Sequence, residues 1–384
     1  MPDIPNGLNR YAHICGWGTA VPDNILTNAE LSRMVDTTDD WIVERTGIRQ
    51  RHIANGKDTT ASLGVKAAKS ALDSANISPN DLDLIIVATS TPEHNFPSTA
   101  SLIQDELGAR KAGAFDMAAA CTGFVYALTV AGQIIQSGSM NTVLVIGSET
   151  LSKIVNWEDR STCVLFGDGA GAFVLQGSDV PGGILSSVLR SDGSGGDLLK
   201  VPAGGSAIPA SYDSLRGNLH TINMNGREVF RFATRVMADA CREVVSEAGL
   251  TMDDIDFIVP HQANVRIIEA AARNLDLPLD MFVMNMDRYG NTSAASIPLA
   301  LCEAVDDKRI KPYNNLVFVA FGGGLTWGAT LVTWDVATTA THTQLWHKLR
   351  RQALYSVARI RSTIRRGTRT IEGALWGGEE MADK

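Results

Sequence analysis

Three side chains with reactive potential stand far apart in this 384-residue chain: Cys121, His261 and Asn291. Cys121 lies in MAAACTGFVYAL (residues 117–128), at the head of an apolar run that reads as a helix. A cysteine there sits among unpaired backbone N–H groups at the positive end of the helix dipole, which lowers its pKa and favours thiolate. His261 opens HQAN (261–264) just after an apolar strand pattern, and Asn291 lies in the turn YGNTS (289–293). Taken singly these are a small core residue, a structural histidine and a turn residue. Taken together they are a nucleophile and two neutral hydrogen-bond donors with no carboxylate beside them in sequence. That set suits thioester chemistry, in which the thiolate attacks and His and Asn hold an enolate oxygen. FGGGLTWG (321–328) adds three consecutive glycines, and such a loop can bring an N–H up to a reacting carbonyl.

The elements that must position these residues repeat. NDLDLIIVA (80–88) has a counterpart in DDIDFIVPH (253–261), and NTVLVIG (141–147) in NNLVFVA (314–320), both at an offset of 173. The register holds over some 65 positions and predicts a duplicated β/α unit with buried strands and covering helices. Small residues at 123, 127 and 131 map onto 296, 300 and 304, so the helices after Cys121 and after the 290–294 turn are predicted to pack together across a pseudo-twofold axis, their starts meeting mid-molecule. Where the halves agree, the pattern reads as fold. Where they differ it reads as chemistry: Cys121 aligns with Ala294, His261 with Ala88, Asn291 with Ala118.

Composition narrows the class. The chain is 45% hydrophobic and 20% charged, with room for two or three domains. It has no signal-peptide pattern at its start and no apolar run of bilayer length, so a cytoplasmic location is expected. Five widely spaced cysteines without a C-x-x-C pair argue against disulfides and zinc sites; four of them read as packing residues. Net charge is −8, but residues 341–384 carry nine Lys/Arg against four Asp/Glu, leaving residues 1–340 at −13. So acidic a body argues against nucleic-acid binding.

DWIVERTGIR (40–49), TPEHNF (91–96), AACTGF (119–124), FGDGAGA (166–172), HQANVRI (261–267), GNTSAASI (290–297) and FGGGLTWG (321–328) together resemble the β-ketoacyl-[acyl-carrier-protein] synthase III family of thiolase-like condensing enzymes, over about residues 10–335. The resemblance implies an α/β thiolase-like fold of five layers, αβαβα, in two half-domains, 1–180 with Cys121 and 181–335 with His261 and Asn291. It implies a homodimer, a Cys121–His261–Asn291 triad, and an oxyanion hole from the N–H groups of Cys121 and Gly323. An acyl group passes from acyl-CoA to Cys121; malonyl-carrier protein then loses CO2 and its carbanion attacks the acyl thioester, the step that starts fatty acid synthesis. By the same resemblance Trp41 and Arg160 sandwich the CoA adenine, and Arg45, Thr46 and Asn264 contact CoA. Phe96 reaches the partner's acyl channel and favours a short primer such as acetyl-CoA. Arg231, Arg266 and Arg273 meet the acyl carrier protein. No cofactor and no metal are expected, since CoA and phosphopantetheine arrive as substrates.

Rivals of three classes stand beside this reading: a cysteine hydrolase, another thiolase-like enzyme and a non-catalytic protein. A papain-like cysteine hydrolase also uses Cys, His and Asn, but has a different signature around its cysteine and no duplicated half. Hydroxymethylglutaryl-CoA synthases and thiolases should carry a catalytic glutamate and a second catalytic cysteine respectively, absent from these motifs. An enzyme priming a specialised polyketide or lipid pathway shares the motifs, and a non-catalytic acyl-binding scaffold would not need the three reactive residues.

The chain departs from the family pattern after Trp334. Residues 336–344 read as a linker, followed by a basic amphipathic extension to 384. Apolar residues at 346, 349, 353, 357, 360 and 364 share one helical face, and eight basic residues with no acid lie between 345 and 370. The pattern fits a helix on an anionic membrane surface, a docking element for an acidic partner, or a helix folded back on the acidic body.

Overall fold

The computed structural model describes residues 10–334 and the helix at 345–376; residues 336–344 of the expected linker and the last eight residues lie outside the described residues. Two sheets carry the architecture. The first holds β1 (Tyr11–Ala20), β2 (Leu84–Ala88), β3 (Gly113–Met117), β4 (Thr142–Thr150) and β5 (Asp168–Ser178) in the order β1-β5-β4-β2-β3. The second holds β6 (Gly183–Ser191), β7 (Phe257–Pro260), β8 (Asn315–Gly322) and β9 (Thr326–Thr333) in the order β7-β8-β9-β6.

Helices α1 (Asp39–Thr46), α2 (Thr60–Ala75), α3 (Thr99–Leu107), α4 (Gly123–Gln136), α5 (Gly226–Glu247), α6 (Val265–Leu275) and α7 (Ser296–Asp306) complete the body. α2 and α3 cover the outside of the first sheet, and α5, with α6 packed on it, covers the outside of the second. α4 and α7 fill the space between the sheets. These are the five layers αβαβα of the thiolase-like fold.

The inner strands β2, β4 and β8 have no solvent face, and their side chains divide with period two. Leu84, Ile86 and Ala88 point into the central layer, while Ile85 and Val87 point out towards α2 and α3. In the second sheet Leu316, Phe318 and Ala320 point inward, and Val317, Val319 and Phe321 outward towards α5. Phe124 of α4 meets Phe173 of β5 edge-to-face at 5.0 Å, which ties the middle layer to the first sheet.

The duplication is visible element by element. The turn Pro79–Asp81 maps onto Met252–Asp254, the start of β2 onto that of β7, α4 onto α7 and β4 onto β8, each starting 173 residues apart. The two central helices do meet at their starts, through the turns Ala120–Thr122 and Ser293–Ala295. Along their lengths, however, the main partners are strands, which corrects the expected helix-to-helix seam. The small residues serve that other approach: a Cβ on Gly123 would lie 3.1 Å from the Cβ of Ala88, in β2.

The extension forms α8 (Leu345–Trp376), which lies against α2 and α3. Arg351 pairs with Asp73 at 2.7 Å and donates to Asn76 at 2.7 Å; Tyr355 is buried under Lys69, whose Nζ is 4.8 Å from the ring centroid. Further along, Ser362 and Arg366 both reach Asp105. Of the three readings of the extension, the structure therefore contains the fold-back on the body, made with the polar face of the helix.

Candidate active site

The Cys121 thiol, the His261 imidazole and the Asn291 carboxamide come from three separate segments and line one cavity of about 90 Å³, with Phe166, Asn264, Phe321 and Gly322. Cys121 is delivered by the turn Ala120–Thr122 that leads into α4. Ala120 takes φ 47°, and its counterpart Ser293 takes φ 47° as well, so both halves enter their central helix through the same left-handed residue. The equivalent strands β4 and β8 pass close by. A Cβ on Gly322 would lie 2.7 Å from the Cys121 nitrogen, and one on Gly147 would strike the Ala294 carbonyl.

The three glycines at 322–324 have separate reasons. Gly322 admits Cys121, Gly323 lies where a Cβ would be 2.9 Å from the Leu199 carbonyl oxygen, and Gly324 takes φ 140°. This backbone places Gly323 beside Cys121 on the wall of a second cavity.

His261 follows the end of β7, where its N–H donates to the Val319 carbonyl at 2.8 Å and its ring stands edge-on to Phe321 at 5.3 Å. Asn291 is fixed from both sides. Its N–H donates to the Leu165 carbonyl at 2.8 Å, its own carbonyl accepts from Gly167 at 3.0 Å, and its Oδ1 accepts from the Ser293 N–H at 2.8 Å. With Oδ1 engaged, Nδ2 is the end of the amide left to donate into the cavity.

Burial dominates the electrostatics. It pushes the Cys121 thiol up to about 12; a hydrogen bond from Ser293 works against this, and the nearby Glu149 charge adds to it. The thiolate expected from the helix start is thus overridden, because desolvation of the anion outweighs the helix end. Burial also holds His261 down at about 3, so the resting pair is a thiol and a neutral imidazole. Glu149, buried behind them, has its carboxyl raised by the same desolvation, opposed by hydrogen bonds from Thr91 (2.6 Å), Ser90 N–H (3.0 Å), Ser293 and Thr89. Sequence reasoning missed the link from Glu149 through Ser293 to Cys121. Nothing in GSET (147–150) singles the glutamate out, since its partners are 58 residues or more away.

The second cavity, about 280 Å³, also reaches Cys121 and is walled by Leu151, Ile154, Phe166 and Ile222. It extends the site on the apolar side. On the other side the first cavity reaches Asn264, which caps α6 by accepting from the Arg266 N–H at 2.9 Å. α1 packs beside this cap, and a Cβ on Gly47 would lie 2.9 Å from Val265. α1 carries Trp41, with the guanidinium of Arg45 at 4.7 Å and that of Arg160 at 5.3 Å from its ring centroid. Trp41, Arg45 and Arg160 are therefore together. Thr46 is buried, its hydroxyl donating to the Ile42 carbonyl at 2.6 Å and accepting from Ile48 N–H at 3.0 Å, so it closes the turn at the end of α1.

Phe96 is 86% exposed and lines neither cavity of its own chain. Arg231 on α5 and Arg266 and Arg273 on α6 are all exposed on the layer over the second sheet, Arg266 lying over Phe230 at 5.7 Å. Arg227 and Arg235 stand four residues either side of Arg231 and extend the same basic face, a spacing readable in the sequence but not used there. All five cysteines are free and buried.

A duplicated αβαβα frame with a cysteine, a histidine and an asparagine on one central cavity defines a thiolase-like condensing enzyme. The family model described as 3-oxoacyl-[acyl-carrier-protein (ACP)] synthase III matches residues 115–193, and its C-terminal counterpart matches residues 245–334. The chain is 53% identical over 324 residues to a β-ketoacyl-[acyl-carrier-protein] synthase III of Caldanaerobacter subterraneus subsp. tengcongensis, covering 84% of this chain and 98% of that one. Another, from Roseiflexus sp., is 50% identical over 327 residues, 85% and 99% of the two chains. Among solved structures, 3-oxoacyl-[acyl-carrier-protein] synthase III from Aquifex aeolicus VF5 superposes with TM-score 0.78 at 48% identity, covering 84% and 99%. The priming β-ketosynthase of the R1128 polyketide pathway superposes with TM-score 0.80 at 36% identity, covering 87% and 99%. The chain belongs to the β-ketoacyl-[acyl-carrier-protein] synthase III family, acyltransferases of the condensing class.

Proposed function

We propose that the enzyme condenses a short acyl-CoA, acetyl-CoA first among them, with malonyl-[acyl-carrier protein] to give 3-oxoacyl-[acyl-carrier protein], CoA and CO2, the opening step of fatty acid synthesis. The observation that carries this reading is the single cavity shared by Cys121, His261 and Asn291 and prolonged on its apolar side. The Cys121 sulfur attacks the acyl carbonyl, and its proton ends on the departing CoA sulfur. The negative oxygen formed in each acyl transfer sits between the N–H groups of Cys121 and Gly323. Malonyl thioester then enters; the bond between its C2 and carboxylate breaks, CO2 leaves, and the electron pair rests on an enolate oxygen. Two neutral donors, the imidazole of His261 and Nδ2 of Asn291, hold that oxygen. C2 attacks the acyl carbon, the bond from that carbon to the Cys121 sulfur breaks, and the released sulfur takes up a proton from solvent to restore the thiol.

The half-domains 1–180 and 181–335 then have divided tasks, the first holding the acyl group and the second the enolate. Trp41, Arg45 and Arg160 form the platform for the CoA adenine, a flat ring between flat partners, with Asn264 further down the channel. The exposed β3 is the edge through which a homodimer forms, and it is the partner's Phe96 that closes the apolar cavity over a short acyl group. Arg231, Arg266 and Arg273 offer a local basic face to an acidic carrier protein, needed because the body itself is acidic. The location is cytoplasmic, and no cofactor takes part.

The test is intact-mass measurement after exposure to a panel of acyl-CoAs, with Cys121→Ala as control, followed by addition of malonyl-[acyl-carrier protein]. Acetyl transfer to the unaltered chain, none to the variant, and 3-oxoacyl product are expected. Loading by long or branched acyl groups in preference to acetyl would point to a priming role in a specialised pathway. Arg266→Glu should raise KM for malonyl-[acyl-carrier protein] while leaving acetyl-CoA loading alone; equal loss in both half-reactions refutes that contact.

A further inference from the structure

α8 is amphipathic the wrong way round for a helix that merely packs on its own body. The residues that face α2 and α3 are Arg351, Tyr355, Ala358 and Ser362, recurring every three or four positions. Gly108 at the end of α3 makes room for this face, since a Cβ there would lie 2.7 Å from that of Ala358. Half a turn away, Val357, Ile360 and Ile364 are 56%, 61% and 60% exposed. They continue a stripe that the sequence runs from position 346 through 349 and 353 to position 364. A helix gains most by burying such a stripe, and this one is held by charge and hydroxyl contacts that point it outward.

We propose that this outward stripe of α8 seats the enzyme on the surface of an anionic lipid bilayer, with the helix lying in the interfacial plane. Three observations select a bilayer over other occupants. Eight basic residues and no acid lie between 345 and 370; Arg351 and Arg366 are spent on Asp73 and Asp105 of the body, and the charge that is left complements anionic headgroups and would set two copies of α8 against each other. Residues 1–340 carry −13, so an anionic surface repels the body, and α8 is the element that reverses this. A stripe of mainly aliphatic residues that opens on a tryptophan at position 346 and is flanked by arginines suits the headgroup boundary. No helix among the described residues is long and apolar enough to cross a membrane, so the contact is peripheral.

The placement keeps the catalytic mouth clear. Asp73 and Asn76 lie where α2 ends and the chain turns towards the start of β2, and Asp105 and Gly108 where α3 ends before β3. β2, β3 and β4 run parallel, and Cys121 follows the far end of β3. The body contacts of α8 therefore lie on the outer helices at the end where these strands start, opposite the chamber.

Flotation of the full-length protein with phosphatidylcholine vesicles, and with vesicles containing a third phosphatidylglycerol, tests this at low and high salt. The anionic vesicles should carry at least tenfold more protein than the neutral ones, with loss at high salt. Ile360→Glu/Ile364→Glu should cut that fraction at least tenfold while acyl loading of Cys121 stays unchanged, and Arg361→Glu/Arg365→Glu, which leaves the stripe intact, should cut it too. Equal flotation with both vesicle types, or unchanged flotation of both double variants, overturns the proposal. So does a concentration-dependent larger species that the isoleucine variant abolishes, without flotation of the unaltered chain; the occupant would then be a second copy. None of these outcomes depends on the acyl chemistry proposed above.

Discussion

The two halves share a frame and differ in what they hang on it. Both run from a short turn into a buried strand, through a left-handed residue into a central helix, and on to a second buried strand. The first half then adds β3 at its edge, whereas the aligned segment of the second half forms a short helix at Met286–Tyr289, and beside β7 stands only the isolated bridge of Ile258 with Phe282, just before that segment. The chemistry is split in the same way. At equivalent positions after the shared turn stand Cys121 and Ala294; at equivalent strand ends stand Ala88 and His261. Duplication supplied two symmetric corners that meet at one point, and only one side chain of each kind was needed there.

The strongest break in that comparison is to move the nucleophile. Cys121→Ala should lower acyl loading by about 10³-fold or more, with no acyl adduct by intact mass. Ala294→Cys in that background should not restore it, although the backbone turn is the same, because Ala294 is fully buried beneath Gly147. Restored loading would mean that the halves are chemically interchangeable.

Next comes the second half's share. Asn291→Ala should cost about 10²- to 10³-fold in decarboxylation and condensation while acyl transfer to Cys121 persists, a split readable by measuring loading and CO2 release separately. His261 gives a pH signature. Its folded pKa of about 3 lies below the ordinary 6.5, so the unfolded chain takes up the proton first as pH falls. His261 therefore contributes stability above pH 6.5 that is lost progressively as the pH falls towards 3. Denaturant midpoints against pH should show this loss flattened in His261→Gln, and condensation should show no step from His261 between pH 6 and 8.

A smaller effect sharpens how the halves are joined. Arg51 is fully buried, its pKa brought down to about 10 by burial, and its guanidinium donates to the Val164 carbonyl at 2.7 Å and to Asn28 at 2.8 Å. The next two residues after Val164 lead into the strand bridge that fixes Asn291. Arg51→Met fills the space but strands a buried carbonyl, and should cost about 2–3 kcal/mol in a denaturant melt. It should lower condensation more than acyl loading, since the group it steadies is Asn291 and not Cys121.

What the residues reveal in advance follows from how far each effect reaches. The offset of 173 is legible because buried strands and small-residue helices write their pattern locally, one residue at a time. The cavity's three reactive groups are legible because each breaks its half's pattern. The pKa of Cys121 is not, since the helix end is a local feature and desolvation by Phe166, Phe321 and the second sheet is not. The face of α8 that meets the body is illegible for a related reason. Periodicity gives two faces but not which is turned inward, and here Asp73, Asn76 and Asp105, contributed from far upstream, decide it.

The finest test concerns Glu149, the buried carboxyl that the first half places behind Cys121. Glu149 aligns with Gly322, so the second half has no such charge. Its charge raises the Cys121 thiol, after burial, and Ser293 of the other half lowers it by a hydrogen bond. Glu149→Gln should therefore make Cys121 more acidic, and Ser293→Ala less so. Read as the rate of alkylation by iodoacetamide against pH, the first variant's rise should begin at lower pH than that of the unaltered chain and the second's at higher pH. Each shift should be only a few-fold in rate at pH 8, because desolvation, the larger cause, stays in place. Shifts of the same sign in both variants would mean that the two residues act as one packing unit, and that the thiol is tuned by burial alone.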